Sequence, residues 1–402
     1  MSRDIRNSGI NCNGSVVLGD CLKKMTELPD NSVDLIYLDP PFFTQKKHTL
    51  TSREDEEFAF DDKWQSHTQY LAFMGERLKV FKDKLKKTGS IFLHCDGSSS
   101  HYLKILLDEI FGAENFQSEI IWTYRRWSNA KKGLLQNHQN ILFYSKTEAF
   151  KFNRIYDNYS ATTNLDQIVQ LRVRDHRGKT VYKKTESGAV ALAIEKPGVP
   201  LGDVWEIPYL NPKAKERVGY PTQKPILLLE RIINLVTDKG DFVVDPFCGS
   251  GTTLVAAKLC DRRFWGIDIN RSAVKLSERR LETPTKTESK LLQRGRRAYE
   301  KNDPAVKDIV DRLQARPVQR NKGIDALVTA SAQLVPVKIA KCIDDLAECA
   351  RLLKKSTSKN EYKHRAIFLD LPLAPTEVEK FEKKYDVLLI PDLKSLNEKI
   401  KS

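Results

Sequence analysis

Residues 241–253 read DFVVDPFCGSGTT, and this stretch decides the fold. The apolar run FVV has the look of a short buried strand, and TLVAAKLC behind it reads as a helix. Gly249 and Gly251 sit between them and let the backbone approach a ligand closely. The helix that follows offers free N–H groups at its N-terminus. The next strand, FWGID, ends in Asp268, whose carboxylate suits the hydroxyls of a ribose. The plainer reading of Asp268 is a turn or helix-capping residue. A nicotinamide or flavin cofactor would ask for G-x-G-x-x-G, and the third glycine position here holds Leu254.

The same alternation extends in both directions. Towards the N-terminus, SVVLG at 15–19 and VDLIYLD at 33–39 are β-rich runs that lead into Asp20 and end in Asp39. A short helix is expected at 21–28, a longer one at 67–88, a strand at 90–94 and a helix at 102–111. Segments 117–127 and 138–146 read as a strand pair. Helices at 225–236, 252–260 and 271–281 alternate with strands at 241–246 and 263–268. Such alternation argues for a doubly wound, mainly parallel sheet. Between 150 and 219 the pattern breaks into scattered basic and aromatic residues with Gly-Pro turns, as expected of an inserted module. A charged linker at 286–303 leads to 304–402, which has its own apolar segments and reads as a small separate α/β domain.

The chain has 402 residues and a net charge of +14, a balance that attracts a polyanion such as nucleic acid. Cys12, Cys21, Cys95, Cys248, Cys260, Cys342 and Cys349 form no C-x-x-C pair, so neither a zinc site nor a disulfide framework is expected. No metal is assigned. Reduced thiols, a polar N-terminus and the lack of a membrane-length apolar run favour a cytoplasmic protein.

A second motif, Asp39-Pro40-Pro41-Phe42, lies at the carboxyl end of VDLIYL, where open α/β sheets bind ligands. The prolines stiffen the turn and leave carbonyls without neighbouring donors. An exocyclic amino group on a base is a poor nucleophile because its lone pair is delocalised into the ring. A carboxylate and a carbonyl that accept its two N–H bonds favour a pyramidal nitrogen with a localised pair. An aromatic ring at the fourth position can stack on a base pulled out of the duplex. A third feature is the basic and aromatic cluster Trp122, Tyr124, Arg125, Arg126, Trp127, Lys131 and Lys132, suited to phosphates and base edges.

With these motifs in this order, the sequence resembles the beta-class DNA amino-methyltransferases, in which D-P-P-Y/F precedes the recognition region and the cofactor glycine motif. The resemblance covers about residues 15–282 and includes Gly19-Asp20, the H-x-x-I-L-x-Y-x-K run from His138 to Lys146, and Tyr220-Pro221-Thr222-Gln223-Lys224-Pro225. It implies a circularly permuted Rossmann-like fold with a mainly parallel seven-stranded sheet and a target-recognition insertion at 150–219. The catalytic half would span 1–149 and the cofactor half 220–285. It implies S-adenosylmethionine as cofactor and N6 of adenine in double-stranded DNA as target, with N4 of cytosine as the alternative. Asp39, Pro40, Pro41 and Phe42 would be catalytic. Asp245, Gly249 and Gly251, with Phe247 and Thr252 beside them, would line the methionine end of the cofactor. Asp268 would take the ribose, Asp20 the adenine amino group, and Thr222 and Lys224 the methionine carboxylate. Arg125, Arg126, Trp127, Lys131 and Lys132 would contact DNA. Related enzymes are often dimers, which leans towards a homodimer, and a cognate restriction endonuclease is a further partner class. No Pro-Cys dipeptide is present, so no covalent route through cysteine is expected, and Cys95 and Cys248 are expected to pack in the core.

The tail carries Gly323-Ile324-Asp325 and Lys338 in VPVKI, similar to the core of PD-(D/E)xK nucleases. The position of the second acid is Pro336, which removes a metal ligand and favours an accessory domain over a nuclease.

Overall fold

The computed structural model describes residues 14–51, 57–124, 133–157, 170–187, 190–191, 198–211, 214–288, 304–318, 321–331, 333–358 and 362–401. The chain forms two compact units, Met1–Gly295 and Arg296–Ser402.

The first unit begins with β1 (Ser15–Leu18), α1 (Cys21–Thr26), β2 (Val33–Leu38) and a hairpin of β3 (Lys46–Thr51) and β4 (Glu57–Asp62). Then come α2 (His67–Lys84), β5 (Leu85–Cys95), α3 (Ser100–Phe111), β6 (Phe116–Thr123) and β7 (His138–Ser145). Short strands follow: β8 (Tyr156–Asp157), β9 (Arg172–Arg174), β10 (Thr180–Tyr182), β11 (Val199–Pro200) and β12 (Val204–Glu206). The unit closes with α4 (Ile226–Val236), β13 (Phe242–Asp245), α5 (Thr252–Leu259), β14 (Arg263–Asp268) and α6 (Arg271–Glu282).

Eight of these strands make one sheet in the order β1-β14-β13-β2-β5-β7-β6-β12. All neighbours are parallel except β7, which runs antiparallel to both β5 and β6. Among the described residues the sheet has eight strands, not the expected seven. The extra one is β12, three residues from the expected loop-rich segment, parallel to β6 through Trp205↔Trp122. Only Trp205 of β12 is buried, so its sequence carries no strand-length apolar signal. The β3–β4 hairpin also went unread, because KKHTLT and EFAFDD are too polar to read as strands.

β2 is buried at every position, as a central strand covered on both faces must be, which is why its sequence is a continuous apolar run rather than an alternating one. Its one acid, Asp34, is tolerated because Lys86 Nζ sits 2.7 Å away and the Phe242 amide donates to it at 2.9 Å. The helix expected at 67–88 ends at Lys84, because Leu85 turns extended to pair with Val33 and start β5. Packing covers both faces of the sheet. Met74, Leu78, Phe81, Leu103 and Leu107 lie on one side; Leu229, Ile232, Ile233, Leu254 and Val255 lie on the other. Cys95 and Cys248 are buried within this packing, and burial pushes both thiols up.

The second unit contains α7 (Pro304–Arg312), β15 (Arg316–Pro317), β16 (Ala326–Ala330), β17 (Gln333–Ile339), α8 (Leu346–Thr357), β18 (Ala366–Phe368), α9 (Pro375–Tyr385), β19 (Leu388–Ile390) and α10 (Leu393–Lys401). Its five strands form a separate sheet in sequence order, antiparallel from β15 to β17 and parallel from β17 to β19. Val328, Val337, Phe368 and Ile390 belong to its core. Lys338 Nζ lies 2.8 Å from Asp325 Oδ2, which also accepts the Ile339 amide at 2.9 Å. Among the described residues no group of three His, Cys, Asp or Glu is placed to hold a metal. Among them, too, no helix is long and apolar enough to cross a membrane.

Ile36 lies in the middle of β2 with no exposed surface. Ile36→Ala should cost about 2–5 kcal/mol, the range for emptying a core site. Denaturant unfolding followed by circular dichroism measures this, and a cost under about 1 kcal/mol would contradict the central placement of β2.

Candidate active site

β1, β14, β13, β2 and β5 run side by side in one direction, so their carboxyl ends reach a single edge of the sheet. Each brings an aspartate: Asp20, Asp268, Asp245, Asp39 and Asp96. All five line one cavity of about 560 Å³. That lies within the range of roughly 300–1,000 Å³ typical of small-molecule sites.

The glycine turn forms one wall. Gly249 and Gly251 have φ of +49° and +73°, left-handed values that ordinary residues pay to adopt. A Cβ on Gly249 would press on the Tyr220 ring at 3.0 Å, and one on Gly251 would meet Ser277 Oγ at 2.6 Å. Asp268 organises this turn by accepting the Gly249 amide on Oδ2 at 2.9 Å and the Asn270 amide on Oδ1 at 2.8 Å. Asn270, not Asp268, caps α6, taking the Ser272 amide at 2.8 Å. Arg280 reaches back from α6 and donates to the Ser250 carbonyl at 2.6 Å and to Thr252 Oγ1 at 3.0 Å. Burial lowers this guanidinium to about 10, with the Glu216 charge pulling the other way.

Asp20 caps α1 through the Leu22 amide at 2.9 Å and takes Arg77 Nη2 at 2.8 Å. Arg77 in turn lies over the Phe73 ring, 3.4 Å from its centroid, and the ring lines the cavity. Asp245 is buried and accepts the Phe247 amide at 3.0 Å. Burial drives its carboxyl up to about 7, with Thr253 and the Phe247 amide opposing and Asp39 and Asp268 adding repulsion.

The Asp39-Pro40-Pro41-Phe42 segment lies opposite. Asp39 Oδ2 takes Lys224 Nζ at 2.5 Å, whereas Oδ1 is buried with no hydrogen-bond partner. Burial raises the Asp39 carboxyl, and the Lys224 charge offsets part of that. The family resemblance implies a methionine carboxylate as the partner of Lys224; here its ammonium sits on Asp39, 3.3 Å from the Thr222 carbonyl and 5.2 Å from the Phe42 ring centroid. Phe42 packs on the ring of His94, with centroids 5.7 Å apart. Its carbonyl accepts from Ser98 Oγ at 2.9 Å.

Asp62 holds the loop after the motif. Its carboxylate accepts the amides of Phe42 at 3.2 Å, Phe43 at 2.9 Å and Thr44 at 2.8 Å, with Trp64 Nε1 at 3.2 Å. The clamp holds Phe43 at a φ of +66°, and Gln45, tied to Trp64 through its side chain, follows at +58°; both are left-handed values that are unusual for non-glycine residues.

The cavity thus joins Asp20, Asp39, Pro40, Pro41, Phe42, Thr222, Lys224, Asp245, Phe247, Gly249, Thr252 and Asp268, drawn from both ends of the unit. Gly251 sits directly behind that lining, at the start of α5. Arg125, Arg126, Trp127, Lys131 and Lys132 lie outside the described residues. Trp122, by contrast, is a core residue whose Nε1 donates to the Ile207 carbonyl at 2.8 Å. Sequence reasoning missed Asp62, Arg77 and His94, which belong to no local motif, and Gln139, which lies in the His138–Lys146 run at a position given no role. A polar residue inside an apolar strand, such as His94 in SIFLHC, was the one available signal.

The N6_N4_Mtase model, described as a DNA methylase, matches residues 33–279. With that match over more than half its length, the chain belongs to this DNA methylase family and is an S-adenosylmethionine-dependent DNA methyltransferase. It is 30% identical over 268 residues to Type II methyltransferase M.HpaI of Haemophilus parainfluenzae, covering 67% of this chain and 74% of that protein. It is likewise 30% identical over 270 residues to DNA adenine methyltransferase YhdJ of Escherichia coli (strain K12), covering 67% and 82%. A solved complex of M1.HpyAVI with S-adenosylmethionine aligns with 66% of this chain and 98% of its own, at 20% identity and a TM-score of 0.42.

Asp62→Ala should free the loop that carries Phe42. Methylation measured as kcat/KM should fall about tenfold or more while calorimetric cofactor affinity holds, because a misplaced contact costs rate rather than remote binding. Unchanged kcat/KM would refute the clamp.

Asp245 gives a pH signature. Its folded value of about 7 lies above the ordinary 3.8, so its stabilising contribution is complete below pH 3.8 and is lost as pH rises through about 7. The Tm of the wild type should therefore decline relative to Asp245→Asn between about pH 4 and about pH 7. A difference independent of pH would show that Asp245 keeps an ordinary carboxyl.

Proposed function

We propose that this enzyme methylates N6 of adenine in double-stranded DNA, at an adenine turned out of the helix into the cavity beside Phe42. The observation that carries the reading is Asp39 Oδ1: a buried carboxylate oxygen, without a partner, on the rim of the cavity that also holds the glycine turn. An amino group of a base supplies the donor this oxygen lacks. The Pro40 carbonyl would take the second N–H, and Phe42 would stack on the base. The raised carboxyl of Asp39 would make it the better acceptor for a proton shed by the target amino group.

The residues present fit S-adenosylmethionine. The cavity is large enough, the left-handed glycines open the turn to a ligand, and the acidic side chains of the lining offer acceptors for amino and hydroxyl groups. When bound, that cofactor supplies an electrophilic methyl group. Asp245 and the 247–252 turn would hold its amino-acid end, Asp268 its ribose, and Asp20 its adenine amino group. Thr222 would act near the carboxylate, with Lys224 shared between that group and Asp39. Relatives named adenine or Type II methyltransferases favour adenine and a restriction-modification setting. Phosphate contacts are assigned to Arg125, Arg126, Lys131 and Lys132 and stacking to Trp127, since a +14 chain gains from counterion release. A cognate endonuclease, a homodimer and a cytoplasmic site of action complete the reading.

Asp39→Ala should lower turnover by roughly 10²-fold or more and spare cofactor affinity, because the acceptor faces the reacting nitrogen. Nucleoside digestion with mass spectrometry reads the product. N4-methylcytosine in place of N6-methyladenine would end the adenine assignment, and a wild-type rate for Asp39→Ala would end the mechanism.

A further inference from the structure

Beside Phe42 the cavity is floored by a buried relay that the reaction scheme does not use. The Tyr37 hydroxyl lies 2.8 Å from Nδ1 of His94, and Nε2 of His94 lies 3.0 Å from Oε1 of Gln139. His94 is wholly buried, with Phe42 against it and the edge of Trp122 at 5.5 Å. The Tyr37 O–H has no other acceptor among the described residues, so it donates to Nδ1. The ring proton then sits on Nε2 and donates to Gln139 Oε1. Burial and the charge of Lys224 keep His94 neutral, so no second ring proton disturbs this order. With its oxygen bonded to His94, the amide keeps its NH₂ as the donor for the cavity that Gln139 lines.

We infer that Gln139 reads the target base by donating its amide N–H to the bare ring nitrogen beside the reacting amino group, N1 of adenine, with Tyr37 and His94 as positioning residues. The inference rests on the amino-methyltransfer reading above. It supplies a discrimination that Asp39 alone does not. Guanine and thymine carry N–H at the corresponding ring position, and an amide N–H set against it leaves both donors unpaired. Such mismatched buried donors are costly, so keto bases are rejected. Tyr37 and His94 act through Gln139: without the Tyr37 hydroxyl the imidazole can shift its proton to Nδ1, and the amide can then turn over.

The test uses the full-length enzyme and its own site, located by single-molecule sequencing of DNA from an expressing host. Duplexes carry adenine, 1-deazaadenine or 7-deazaadenine at the target. For the wild type, kcat/KM should fall about tenfold or more on 1-deazaadenine. In Gln139→Met the adenine to 1-deazaadenine ratio should collapse to within about twofold, the intrinsic reactivity of the analogue cancelling in the cycle. Tyr37→Phe should shrink the same ratio, which a merely structural defect would leave unchanged because it slows both substrates alike. If Gln139→Met does not turn over, duplex affinity in the presence of S-adenosylhomocysteine gives the ratio instead. A wild-type ratio near one, a full ratio retained in Gln139→Met, or a loss confined to 7-deazaadenine would each overturn the inference. Absence of N6-methyladenine from the wild-type product is the separate failure of the adenine reading. A cytosine product would move the same measurement to 3-deazacytosine, where N3 is the ring nitrogen concerned.

Discussion

The contact between Lys224 Nζ and Asp39 Oδ2 joins two segments far apart in sequence, the turn after β2 and the loop that leads into α4. Both side chains are largely withdrawn from water, at 5% and 20% exposed. Removing one partner of such a pair strands the other, at about 3–5 kcal/mol. The pair therefore fixes the distance between the Asp39–Phe42 turn and the Tyr220–Pro225 segment. It also sets a positive charge against Asp39. Burial still dominates there, which is why Asp39 and Asp245 both sit above their ordinary range.

Around that pair the loops are held in conformations they would not choose alone. Thr222 has φ of +60°, an uncommon value for a β-branched residue. The loop is braced by Gln223, which accepts the Val218 amide at 3.0 Å and donates to the Glu216 carbonyl at 2.7 Å. Asp62 does the same for Phe43. Asp62, from outside its motif, accepts the amide of the strained Phe43, whereas Gln223, inside its own, ties the loop that holds Thr222 to the backbone of Val218 and Glu216. Strain of this kind costs on the order of 1–3 kcal/mol per residue and persists only where neighbours impose it. Thr222 lines the cavity, and Phe43 and Gln45 flank Thr44, which lines it too.

The second unit shows the opposite use of a carboxylate and a lysine. Asp325 and Lys338 satisfy each other, and the strand position two residues before the lysine is Pro336, facing Leu327 across the β16–β17 ladder. The tail resembles a nuclease core in its sequence spacing. Its ionisable pair is spent on holding β17 beside the turn that precedes β16.

By itself the sequence determined the alternation of strands and helices, because apolar runs and glycine turns are local. It determined the D-P-P-F and glycine motifs for the same reason: each functional residue there lies within a few positions of the next. The loss of a second acid at Pro336 was equally legible. Only the tertiary structure decided that Lys224 meets Asp39, that Asp62 clamps the loop after Phe42, and that His94 meets Gln139. Those contacts join residues on different strands and loops, and no periodicity or spacing encodes them. The eighth strand was decided the same way, since Val204–Glu206 is a strand because β6 offers it a ladder. Its own three side chains do not demand one.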